Sequence, residues 1–113
     1  MSVWFKTLGY INKLIMIDAA ELIDNTFLRQ FEIKVDEDLA KIEYSLQDRK
    51  IFLTKLIIPA TVDNEDFVED FLKVVMENIK DRNISVVPTS PPIAKFIRKN
   101  RRYKAMLPVG VRI

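Results

Sequence analysis

The sequence predicts an α/β domain of the α+β kind: a mixed, mostly antiparallel sheet with a helical crossover. Three stretches carry that prediction. LAKIEYSL (39–46) alternates apolar with polar residues, and IFLTKLII (51–58) is nearly continuously apolar. After them a long helical stripe leads into ISVVP (84–88), which is short and β-branched. Strand, helix and strand in that order imply a right-handed crossover between two parallel strands.

The elements follow in order from residue 31. FEIKV (31–35) alternates and VDEDL turns the chain. In 39–46, Ala40, Ile42, Tyr44 and Leu46 share one face while Lys41, Glu43 and Ser45 share the other. That pattern is a half-buried antiparallel strand. QDRK makes the next turn into a strand over 50–58, whose apolar run predicts a central strand covered on both faces. Phe67, Phe71, Leu72, Val75, Met76 and Ile79 then form one stripe of a helix over 64–82. Asp63 or Asn64 can cap that helix, and Arg82 with Asn83 ends it.

A strand over 84–88 follows, then a helix over 91–99 with Ser90 as N-cap and Pro91 at its first position. Ile93, Phe96 and Ile97 face inward, and a last helix covers 101–107. Residues 1–30 read as an N-terminal extension, partly helical, with Trp4, Phe5, Leu8, Ile11 and Ile15 available for packing. Residues 31–113 read as the domain proper.

Composition narrows the chemistry. With 113 residues, 49% apolar and 30% charged, the chain supports one core of a soluble globular kind. It has no cysteine and no histidine, so thiol nucleophiles, thiolate metal sites and the commonest general base are all excluded. Any catalysis must use carboxylates, lysine, tyrosine or hydroxyls. Charge is unevenly placed: residues 1–94 carry 11 basic and 16 acidic side chains, and residues 95–113 carry seven basic and none acidic. The N-terminal apolar run is broken by Lys6, Thr7, Asn12 and Lys13, which argues against a signal peptide and against a membrane span. The expected location is cytoplasmic, and both Met1 and Met16 stand open as starts.

Two charged stretches invite functional readings. DNEDFVED (63–70) places Asp63, Glu65, Asp66, Glu69 and Asp70 at the start of a helix. Acids there complement the helix dipole and cap its amides. Its competing readings are a metal site, which lacks the regular loop spacing calcium requires, and a docking surface for a basic partner, including the chain's own tail. KFIRKNRRYK (95–104) offers Arg98, Lys99, Arg101 and Arg102 to a polyanion or nucleic acid, with Phe96 or Tyr103 for stacking. Its competing reading is a solvated helix face over a core of Phe96, Ile97 and Tyr103. Ser90 is a cap or, with an activating base, a nucleophile. Tyr103 is a buried anchor or a general acid.

The order of elements resembles the GCN5-related N-acetyltransferases, and more closely their short single-domain members. The resemblance rests on Phe31, Glu32, Ile33, Ala40, Ile42, Glu43 and Tyr44, on the strand ending Ile58–Pro59, on ISVVPTS (84–90), and on Ile97, Tyr103 and Leu107. It implies acetyl-coenzyme A as cofactor. The pantetheine arm would then lie along Leu56, Ile57 and Ile58, and the pyrophosphate on a basic–Gly–x–Gly turn. Those turn positions fall on Asp63, Asn64, Glu65 and Asp66, with Phe67 following, and none keeps the family residue. Ser90 stands where the short members carry cysteine, and Lys55–Leu56 where the family has histidine–threonine.

The expectation is therefore an acetyltransferase-like domain without acetyl-coenzyme A catalysis or bound metal, serving as a binding or scaffold module for an unidentified protein partner. The first alternative is an acetyl-coenzyme A-dependent N-acetyltransferase using Ser90 or Tyr103. The second is polyanion binding through the basic tail.

Overall fold

Five strands form one sheet in chain order, β1-β2-β3-β4-β5. They are β1 (Ile23–Asn25), β2 (Gln30–Val35), β3 (Asp38–Gln47), β4 (Lys50–Ile57) and β5 (Ser85–Pro88). The structure is a computed structural model that describes residues 21–113. The packing roles expected of Trp4, Phe5, Leu8, Ile11 and Ile15 lie outside the described residues.

The first three pairings are antiparallel and β4 pairs with β5 in parallel. The β3–β4 hairpin turns on Asp48 and Arg49, both at positive φ (47° and 65°), the backbone twist that a two-residue hairpin favours. The crossover from β4 to β5 is α1 (Glu65–Asp81), and α2 (Pro91–Lys99) follows β5. α1 stops at Arg82, where Asn83 takes the left-handed conformation (φ 59°) that closes many helices.

One core holds the domain. Phe31, Ile33, Ala40, Ile42, Tyr44, Ile51, Leu53 and Val86 of the sheet meet Phe71, Leu72, Val75, Met76 and Ile79 of α1 and Ile93, Phe96 and Ile97 of α2. Both described helices therefore cover the same face of the sheet. Ile51 and Leu53 are enclosed, but Thr54 and Lys55 are exposed, and no described helix lies against the other face.

Three differences are physical in origin. Ile23–Asn25 adds a strand within the segment expected to be partly helical, because Ile23, Asp24 and Asn25 pair with Glu32, Phe31 and Gln30. The helix expected over 101–107 is a 3-10 run, Arg101–Met106, closed by i→i+3 bonds from Tyr103 N to Asn100 O (2.9 Å) and Leu107 N to Lys104 O (3.1 Å). The strand expected to reach residue 58 ends at Ile57, two residues before Pro59, which donates no amide.

A polar tie secures the far end of the sheet. Tyr44 donates its hydroxyl to Asp24 Oδ1 at 2.5 Å, and Arg82 pairs with the same carboxylate from the end of α1. The Arg82 guanidinium also lies 5.6 Å from the Phe31 ring centroid. Burial, then the bond to Asp24, pushes the Tyr44 phenol up to about 12.

Candidate functional site

The candidate site begins where β4 and β5 part. Pairing between them ends at Leu53 and Pro88. The Leu53 carbonyl accepts Thr89 N (3.1 Å), Ser90 N (3.3 Å) and Thr89 Oγ1 (3.2 Å), which pins the entry of α2 to β4 at that point. The register of β4 against β3 slips at the same place. Tyr44 lies opposite Leu53 and Glu43 opposite Lys55, so Thr54 is the extra residue of a bulge. Its hydroxyl donates to Glu43 O at 3.1 Å. Beyond the bulge β4 continues to Ile57 while the other strand turns into α2. Among the described residues no strand pairs with that stretch of β4 from β5's side.

Leu56 and Ile57 therefore sit on an open edge, with Ile58 just beyond the strand, and all three are half-buried. The chain then makes a short 3-10 turn, Ala60–Val62, and enters α1 through Asp63 and Asn64. Asn64 is the cap, in extended conformation (φ −132°, ψ 158°), and its Oδ1 accepts from Phe67 N at 2.9 Å. The entrance thus satisfies one of its own orphan amides with a side chain. No residue between 59 and 68 takes a positive φ. Asp66 is exposed in the first turn, and Phe67 packs on Phe71 with ring centroids 6.1 Å apart.

A pocket of about 220 Å³ lies between the helices that leave the two strands. Val68, Leu72, Pro92 and Phe96 supply apolar wall, while Asp63, Asn64, Glu65, Glu69, Lys95 and Lys99 supply the polar part. Lys99 reaches from the last turn of α2 to the first turns of α1, 2.9 Å from Glu69 and 3.4 Å from Glu65. Those carboxylates, Glu69 first, hold its ammonium above the ordinary lysine value.

The other expected site residues are distributed differently. Arg102 pairs with Glu77 at 3.2 Å, so two of the four basic residues put forward for a polyanion already face α1 carboxylates. Arg98 and Arg101 make no ion pair among the described residues. Tyr103 is enclosed, its ring stacked 5.8 Å from Phe96, and its hydroxyl donates to Glu77 at 2.9 Å and accepts from Arg102 at 2.7 Å. Burial raises its pKa, against the lowering effect of Arg102. Neither Tyr103 nor Ser90 lines the pocket. Ser90 occupies the cap position of α2 but makes no side-chain cap bond. Pro92 at the second helical position has no N–H for its hydroxyl to meet.

Among the described residues no group of three or more carboxylates could hold a metal ion, and no helix is long and apolar enough to cross a membrane. The sequence reading missed Lys95 as a pocket residue, and it missed Asp24 and Arg82 as partners of Tyr44. A lysine on an amphipathic helix carries no signal that separates a pocket rim from solvent.

The model of a family described as GCN5-related N-acetyl-transferase matches residues 30–106. Among solved structures, the fold is similar to the solution structure of a GCN5-like protein from Staphylococcus aureus, described as a candidate N-acetyltransferase. That match has a TM-score of 0.62 at 19% identity and covers 85% of this chain and 94% of the other. No curated protein matches the sequence.

Proposed function

The chain belongs to the GCN5-related N-acetyltransferase family, and we propose that within it this domain has given up coenzyme catalysis and works as a binding module. The observation that carries the reading is the hydrogen bond from Phe67 N to Asn64 Oδ1 at the start of α1. A diphosphate held at a helix N-terminus needs main-chain amides turned toward it and a backbone that approaches closely. Here one of those amides is already satisfied from within, and no glycine or left-handed residue opens the turn.

The charges act in the same direction. A carboxylate about 4 Å from a phosphate charge costs on the order of 1 kcal/mol in water and about four times that near a protein surface. The helix dipole offers roughly 0.3–1 kcal/mol in return. Asp63 and Glu65 alone outweigh it, and Glu65 is only partly offset by a Lys99 that it shares with Glu69. The residues present do not fit the pyrophosphate of acetyl-coenzyme A in the family's manner.

A second reading is supported by the open edge of β4. Acyl-coenzyme A could pair its pantetheine amides with the backbone around Leu56 without using the helix entrance, and the domain would then remain an N-acetyltransferase. Titrating acetyl-coenzyme A while following the melting temperature separates the two. The binding-module reading expects a flat response through millimolar coenzyme, and a saturable rise would reject it.

A further inference from the structure

The turn between β1 and β2 holds an aromatic ring out in solvent. Thr26, Phe27, Leu28 and Arg29 make the turn; Phe27 is 90% exposed, and Leu28 beside it is 55% exposed. The backbone there is nevertheless fixed. Leu28 N donates to Asn25 Oδ1 at 3.0 Å, and Tyr44 N donates to Arg29 O at 3.0 Å, with Arg29 in the left-handed region (φ 57°). A single exposed apolar side chain is ordinary on a protein surface. One presented by a locked turn is better suited to docking, because its backbone is ordered before a partner arrives.

The pocket between α1 and α2 has the complementary form. Val68, Leu72, Pro92 and Phe96 give it an apolar wall. An apolar cavity of ~150 Å³ holds a benzene ring, so the pocket of about 220 Å³ admits one aromatic side chain. Charge agrees with shape. Arg29 is exposed in the same turn as Phe27, and Asp63 and Glu65 stand on the α1 rim of the pocket. Lys95 and Lys99 stand on the α2 rim, where Lys99 is engaged by Glu69 and Glu65, so a cation that accompanies the ring is drawn to the α1 side.

The turn is placed where it cannot fill the pocket of its own chain. The bond from Tyr44 holds Arg29 level with Leu53, which faces Tyr44 across the sheet. The pocket opens beyond Ile57, farther along β4 and two strands away from β2. We infer that Phe27 of one copy enters this pocket on a second copy, with Arg29 against Asp63. Two copies lying antiparallel exchange the contact about a two-fold axis, so both pockets fill and the assembly closes. The inference names a partner for the binding module and rests on that reading, because a coenzyme at the entrance of α1 would contest the same residues.

Sedimentation velocity on the full chain, from micromolar to millimolar concentration, should show a monomer–dimer equilibrium. Burial of a phenylalanine is worth roughly ten- to hundredfold in affinity per contact. Phe27→Ser removes both contacts and should raise the dissociation constant by at least about a hundredfold. Because Phe27 is exposed, that variant should melt with the wild type in dilute solution. Arg29→Asp and Asp63→Arg should each weaken the dimer, and the two together should restore it. In a mixture of isotope-labelled and unlabelled copies, cross-chain NOEs should join the Phe27 ring to the Val68 methyls. The inference is overturned if the chain stays monomeric at millimolar concentration, if Phe27→Ser associates as tightly as the wild type, or if the double reversal is as weak as the single ones. Cross-chain NOEs that place Phe27 elsewhere overturn it too. The two readings fail separately: a saturable rise in the melting temperature of Phe27→Ser with acetyl-coenzyme A rejects the binding module, whereas a flat response from a chain that never dimerises rejects only the second copy as its partner.

Discussion

Changing Asp63→Asn, Asn64→Gly and Glu65→Gln together alters the entrance of α1 without touching the core. Each carboxylate removed spares on the order of 1 kcal/mol of repulsion toward a phosphate charge about 4 Å away. Asn64→Gly releases the Phe67 amide from its own cap and costs only a few tenths of a kcal/mol of helix stability. One hydrogen bond from that amide to an anion adds roughly 1.5 kcal/mol. The sum, about 3.5 kcal/mol, corresponds to a several-hundredfold gain in affinity. Loss of Glu65 also leaves Lys99 with one carboxylate instead of two, which acts in the same direction. Calorimetric titration with acetyl-coenzyme A should show saturation for the variant and none for the wild type. The gain should shrink as the screening length falls from about 10 Å at 0.1 M salt to about 3 Å at 1 M. Wild-type binding as tight as the variant's, or a gain indifferent to salt, refutes the reasoning.

Other consequences are directly measurable. Because the folded Tyr44 titrates near 12 and an unfolded tyrosine near 10, its contribution is complete below pH 10 and lost as pH rises through 12. Urea midpoints of wild type and Tyr44→Phe should therefore converge over that interval, and parallel curves would contradict the assignment. Arg82→Ala removes the pair with Asp24 and the contact over Phe31; it should cost about 1–2 kcal/mol and speed amide exchange at Ile23–Asn25. Asn78 Oδ1 is enclosed without a hydrogen-bond partner, so Asn78→Leu should raise stability by about 1 kcal/mol in denaturant unfolding. Of the four basic residues put forward for a polyanion, only Arg98 and Arg101 lack ion pairs among the described residues, so Arg98→Ala with Arg101→Ala should reduce the log–log salt slope of duplex DNA binding by about 2. A further fall of about 2 on Lys99→Ala with Arg102→Ala would mean that those two leave their carboxylates for DNA.

The sheet and α1 were legible because their periods are long enough to read. Ala40, Ile42 and Tyr44 alternate into the core, and Phe71, Leu72, Val75, Met76 and Ile79 form the enclosed stripe of α1. β1 was not legible. Ile23–Asn25 is three residues long and exists through its partners on β2, information that no local window contains. The continuous apolar run of β4 shows that the strand is interior, but only the placement of α1 and α2 shows that Ile51 and Leu53 face them. At the site, the acidic turn and the basic tail were both visible, but not that Lys99 would reach Glu69. Glu32 was hidden by its own pattern. A charge between Phe31 and Ile33 reads as a solvent-facing position, yet Glu32 is only 7% exposed.

The features that disfavour a phosphate at the entrance of α1 are the same ones that make a good helix start. Asn64 as cap contributes about 1 kcal/mol relative to alanine. Acids in the first turn add roughly 0.3–1 kcal/mol each through the dipole. A glycine-rich cradle reverses each of these, since every glycine orders a more flexible chain at a cost of about 0.5–1 kcal/mol against alanine. Phosphate binding at that corner and stability of that helix therefore compete, and the binding-module reading places the balance with stability. The bulge at Thr54 and the parting of β4 from β5 carry no such conflict. They follow from the register of Tyr44 on Leu53 and from the bonds of Thr89 and Ser90 to the Leu53 carbonyl, which the core needs whether or not a ligand binds. On the proposed reading, the parting of β4 from β5 persists while the entrance of α1 serves as a helix cap. The triple variant should accordingly gain coenzyme affinity and melt at a lower temperature than the wild type.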